Sequence, residues 1–102
     1  MNGKQRKTLA AIFAVPVRTD IKWKDIESLF AACGGSIEEA RGSRVCVEIN
    51  GVFAHFHRPH PQPNADKGAV KSVRRFLEHA GVRLSPEINR QKILGKKGVG
   101  IP

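Results

Sequence analysis

The sequence predicts a small α+β domain: a three-stranded antiparallel sheet packed by helices on one face, with an extra helix at the N-terminus. Three observations predict it. Two amphipathic helical stretches, residues 24–33 and 67–80, flank a pair of alternating apolar segments. Asn50-Gly51 separates those segments, and this dipeptide tolerates the positive φ angles of a tight hairpin turn. With 102 residues, 40% of them apolar, the chain has material for one modest core.

Taken in order, residues 3–14 read as a short helix with Leu9, Ile12 and Phe13 on one face and Pro16 as its stop. Lys4, Arg6 and Lys7 lead into it. Cations at this end oppose the helix dipole, so the cluster serves either phosphate contact or plain solvation. The second helix, residues 24–33, carries Ile26, Leu29, Phe30 and Cys33 at helical spacing and ends at Gly34-Gly35; Trp23, at its entry, reads as a packing residue.

A weak strand over 36–41, a turn at Gly42-Ser43 and two clearer strands over 44–49 and 52–58 follow. A two-residue turn at Asn50-Gly51 sets the register. It places Ile49 opposite Val52, Val47 opposite Ala54 and Val45 opposite Phe56 on an apolar face. The other face then pairs Glu48 with Phe53, Cys46 with His55 and Arg44 with His57.

Pro59, Pro61 and Pro63 make residues 58–65 a stiff extended loop that contains His60. The third helix, residues 67–80, starts at the N-cap Asp66, buries Val70, Val73, Leu77 and Ala80, and stops at Gly81. Beyond it, residues 84–102 have no lasting period and read as a mobile basic tail. The chain thus divides into an N-terminal helical extension (1–19), a central domain (20–83) and the tail.

Eighteen Lys and Arg against nine Asp and Glu give a net charge of +9, which implies a polyanionic partner. No apolar run approaches the ~20 residues needed to cross a bilayer, and no secretory segment follows the first residues, so a cytoplasmic protein without membrane insertion is expected. Cys33 and Cys46 form no C-x-x-C pair and read as free thiols.

Three segments then narrow the reading. They are Trp23-Lys24-Asp25-Ile26-Glu27-Ser28-Leu29-Phe30-Ala31-Ala32-Cys33-Gly34, the Gly42-Ser43 turn before a strand, and Pro59-His60-Pro61 followed by Lys67 to Leu77 and Ala80-Gly81. In order and spacing, residues 20–83 resemble the HicA toxins of bacterial toxin–antitoxin pairs. The resemblance implies a small double-stranded-RNA-binding-like fold, cleavage of messenger RNA and silencing by a HicB-type antitoxin. It also implies a catalytic histidine directly after the Gly-Ser turn. Here that position holds Arg44.

The residues themselves offer a substitute. Metal-independent RNA cleavage needs a base for the 2′-hydroxyl proton, an acid for the leaving oxygen and a cation for the developing charge. Imidazole suits both proton roles because it titrates near neutrality. His57, or His55 in its place, is the candidate base, Arg44 the candidate phosphate ligand and His60 the candidate acid. Arg41, Arg58, Lys67, Lys71, Arg74 and Arg75 are the further candidate RNA contacts.

Each histidine has a plain alternative as a surface residue, and Arg44 has one as a cross-strand partner of Glu48. His79, near the end of the third helix, reads as a partner of the helix dipole. A zinc site from Cys46, His55, His57 and His60 is the competing chemistry. The usual ligand-pair spacings are missing, so neither metal nor cofactor is expected. A non-catalytic RNA-binding or antitoxin-binding module is the alternative to a nuclease. DNA binding is weaker, because no helix-turn-helix pattern is visible.

Overall fold

The computed structural model describes residues 1–82. The tail expected over 84–102 lies outside the described residues. The elements are α1 (Gly3–Ile12), α2 (Trp23–Ala32), β1 (Ser36–Glu39), β2 (Arg44–Ile49), β3 (Val52–His57) and α3 (Lys67–His79). This is the expected α+β order, with the sheet antiparallel throughout in the order β1-β2-β3.

The hairpin register matches the sequence expectation residue for residue, from Arg44 opposite His57 to Ile49 opposite Val52. Asn50 and Gly51 adopt φ of 53° and 82°, the left-handed pair that a two-residue turn of matching twist requires. Alternation then decides what is buried. Val45, Val47, Ile49 and Phe56 face the helices and lie in the core, while Arg44, Phe53, His55 and His57 are exposed on the outer face.

Beneath the sheet, Trp23, Phe30, Phe56 and Phe76 form an aromatic cluster with ring centroids 5.6 to 6.3 Å apart. Trp23 is buried and its indole N–H donates to Glu27, so it packs as expected. At the far end of the sheet, a methyl group on Gly35 would come within 2.7 Å of the Ile49 side chain and 2.9 Å of the Phe30 carbonyl oxygen. Only glycine lets α2 return this closely to the strand.

Helix α1 belongs to the same core, to which it contributes Leu9 and Ile12. Asn2 and Gln5 close its N-terminus as a reciprocal capping box, each side chain accepting from the other's backbone N–H at 2.9 Å. It ends two residues earlier than residues 3–14 would suggest. There the Arg74 guanidinium of α3 donates to the carbonyls of Ile12 (3.0 Å) and Ala14 (2.9 Å) and lies over the Phe13 ring. Among the described residues, no helix is long and apolar enough to cross a membrane.

Candidate active site

The site is built at the open end of the hairpin, away from Asn50-Gly51. Gly42, at φ 63°, lets the chain reverse between β1 and β2, and the Arg44 N–H donates to the Arg41 carbonyl at 3.2 Å. The Ser43 carbonyl accepts from the Arg58 N–H at 2.8 Å, which fastens the Gly42-Ser43 turn to the end of β3. Arg44 and His57 are thereby held as directly opposed residues, with Cβ atoms roughly 5 Å apart. Both are exposed, as is Arg41 in the turn.

The proline loop supplies the second wall. The Trp23 N–H donates to the Pro63 carbonyl and the Ala65 N–H to the Ile21 carbonyl, both at 2.9 Å, around a bridge between Lys22 and Asn64. Proline cannot donate, so Pro63 takes part only through its carbonyl, and the donors are the N–H groups of Trp23 and Ala65. Folded back in this way, the loop encloses a cavity of about 600 Å³ lined by His57, His60, Thr19, Gln62, Asn64 and Asp66, among others.

His57 and His60 thus share one cavity. Arg44 and His55 are not among its lining residues. His57 links the two halves of the site, as the cross-strand neighbour of Arg44 and as a wall of the cavity that His60 also lines. His55 lies two residues back along the same face, in a row with Cys46 and Glu38 of the neighbouring strands.

Arg58 follows His57 and lines the same cavity, but its guanidinium is engaged by carboxylates. Its guanidinium meets Glu27 of α2 at 2.7 and 3.1 Å and Glu39 of β1 at 3.0 Å. Hydrogen bonds to Glu27 first, and then to Glu39, raise the Arg58 pKa further above its already high range. The expectation that Arg58 faces RNA therefore meets a competing use: its guanidinium ties the start of the proline loop to α2 and the edge strand. Alternation along β3 buries Phe56 and half-buries Ala54, and continuing it one residue past the strand puts Arg58 in phase with them.

The basic residues of α3 divide likewise. Lys67, Lys71 and Arg75 recur at i, i+4 and i+8 and are exposed, a cationic strip beginning beside the cavity. Arg74 instead holds the end of α1, as described above. The Asp66 carboxylate accepts from the Ala69 N–H at 2.8 Å, so one of the amides at this helix start is satisfied within the chain. His79 lies exposed in the last turn of α3, where a cation complements the dipole.

Both cysteines are half-buried free thiols, and burial pushes the Cys33 thiol up. Among the described residues, no group of three or more His, Cys, Asp or Glu side chains is arranged to hold a metal ion. The sequence reading missed Thr19, Gln62 and Asn64 as cavity walls, and Glu27 as the anchor of Arg58. A signal for Glu27 existed in its i+4 spacing from Trp23. The long-range pairing of residues 21–23 with 63–65 left none.

With this geometry in place, comparison with known families is informative. The model of the family described as "HicA toxin of bacterial toxin-antitoxin" matches residues 23–82, from the first residue of α2 to the residue after Gly81. No curated protein and no solved structure gave a match.

Proposed function

This chain belongs to the HicA toxin family of bacterial toxin–antitoxin systems, and from that premise we propose that it binds and cleaves messenger RNA without a metal. The observation that carries the proposal is the double position of His57, opposite Arg44 on the outer sheet face and in one cavity with His60. Two imidazoles and a guanidinium supply the three roles that the reaction needs.

In this mechanism His57 takes the proton of a ribose 2′-hydroxyl, and its oxygen attacks the adjacent phosphorus. Arg44 stabilises the charge that builds on the non-bridging oxygens. His60 gives a proton to the departing 5′-oxygen as the P–O5′ bond breaks, leaving a 2′,3′-cyclic phosphate and a 5′-hydroxyl. His55, on the same face as His57, is the alternative base. Arg41, Lys67, Lys71 and Arg75 hold the RNA backbone through phosphate contacts, which favour little sequence preference. Arg58, at the cavity wall, and Arg74 hold the loop and α1 through their side-chain hydrogen bonds, and any contact they make with RNA competes with those bonds. A HicB-type antitoxin is the proposed partner that neutralises the toxin, and the cytoplasm is where messenger RNA and such a partner meet.

One observation favours a second reading. Arg44 occupies the position at which the family's catalytic histidine is expected, so the chain also fits a module that binds RNA or antitoxin and no longer cuts. Freshly purified protein incubated with messenger RNA separates the two. Cleavage that falls by about 10²–10⁴ in His57→Ala supports the nuclease, since that is the usual contribution of a general base. RNA binding with no cleavage by the unmutated chain supports the module. Arg44→Ala should weaken the reaction while the fold stays intact, because the residue is exposed and has no ion-pair partner among the described residues.

A further inference from the structure

A second cationic recess lies outside the site above. Residues of α1 and of the segment leading to α2 enclose a groove of about 500 Å³, lined by Lys4, Lys7, Arg18 and Lys22 together with Asp20 and Asp25. Five of these six residues precede the stretch that matches the family. Four cations against two carboxylates leave a surplus of two positive charges.

The location of that surplus can be read from the ion pairs. Lys4 meets Asp25 at 3.4 Å and Arg18 meets Asp20 at 2.6 Å, the latter pair raising the arginine and lowering the carboxylate pKa through their hydrogen bond. Lys7 and Lys22 are exposed and have no ion-pair partner among the described residues. Neither serves its helix. Lys7 stands in the N-terminal half of α1, whose first turn contains no acidic residue, and Lys22 is the N-cap of α2 and makes no side-chain capping bond. At the N-cap of α2 the Lys22 cation opposes the helix dipole, so its placement costs helix stability, while Lys7, past the first turn of α1, is left without a pairing role.

The groove also adjoins the candidate active site. Thr19 lines the His57–His60 cavity, while its chain neighbours Arg18 and Asp20 line the groove. Consecutive Cα atoms are about 3.8 Å apart, so at Thr19 the two recesses are separated by one position of the chain. An RNA strand leaving the histidine cavity has only this position to cross.

We infer that Lys7 and Lys22 form a second phosphate-backbone site, built by the N-terminal extension, that lengthens the RNA footprint beyond the histidine cavity. The inference rests on the proposed function, since it supposes that RNA occupies that cavity.

The test uses the full chain carrying His57→Ala, which keeps the RNA intact, and a labelled single-stranded RNA oligonucleotide titrated at several salt concentrations. Each phosphate contact to a single strand contributes about 0.7 to the slope of log affinity against log salt. Lys7→Gln with Lys22→Gln should therefore flatten the slope by about 1.4, and Lys7→Arg with Lys22→Arg should restore it. Arg6→Gln with Lys24→Gln removes the same charge from exposed residues outside both recesses and should leave the slope near that of the parent. An unchanged slope in the first pair, or an equal loss in the control pair, overturns the groove and leaves the active-site reading standing. Absence of RNA binding by the parent at low salt overturns the active-site reading, and the groove with it.

Discussion

The two ends of the β2–β3 hairpin are built from the same alternating pattern and are closed in opposite ways. At the Asn50-Gly51 end the chain satisfies itself. The Gly51 N–H donates to the Glu48 carboxylate at 2.7 Å, the Asn50 amide donates to the Ala80 carboxyl-terminal helix carbonyl at 2.8 Å, and Gly35 fits against Ile49. At the other end one guanidinium, that of Arg58, turns inward to Glu27 and Glu39, while Arg41, Arg44, His57 and His60 remain exposed. Burial and hydrogen bonding at the first end specify the fold. The exposed arginines and imidazoles at the second contribute little to packing, and the proposed use for them is to meet an anion.

This contrast can be broken most forcefully from underneath. Phe56 lies between His55 and His57 in sequence and packs against Trp23, Phe30 and Phe76. Phe56→Ala should cost about 3–5 kcal/mol in chemical denaturation, the usual range for removing a buried aromatic ring. Stability and RNA cleavage should fall together, because the strand that carries His57 loses its anchor.

A finer cut separates position from stability. Arg58→Met keeps much of the side-chain volume but removes the bridge from the proline loop to Glu27 and Glu39. RNA cleavage should drop by up to about 10²-fold, the scale of a misplacement near 1 Å, while affinity for a short RNA changes little. Equal losses in binding and turnover would instead mark Arg58 as a direct RNA contact.

The smallest effect belongs to the self-satisfied end. Asn50→Ala removes the bond to Ala80 and places alanine at a left-handed φ, which should cost about 1–2 kcal/mol of stability from the lost hydrogen bond and the strained turn. Turnover measured well below the melting temperature should be unchanged.

The same contrast explains what was legible in the sequence. The hairpin register followed from Asn50-Gly51 and from apolar alternation, both local signals, and the three helices followed from their periodicity and stops. That register alone puts Arg44 opposite His57. The cavity was less legible, because its walls come from residues more than forty positions apart, joined where 21–23 pairs with 63–65. Backbone pairing of that kind leaves no periodic trace. Arg58 and Arg74 show a further limit. Composition marks them as cations equivalent to Arg44 and Arg75, whereas the fold spends their guanidiniums on Glu27, Glu39 and the end of α1.

His57 is proposed to initiate RNA cleavage at the open end of the hairpin without a metal. This role is tested most directly by identifying the ends of the products formed in excess EDTA. The unmutated chain should give 2′,3′-cyclic phosphate and 5′-hydroxyl ends, and His57→Ala should lose them with an unchanged melting curve. Cleavage that stops in EDTA, or that persists at full rate in the stably folded His57→Ala variant, would contradict the proposal.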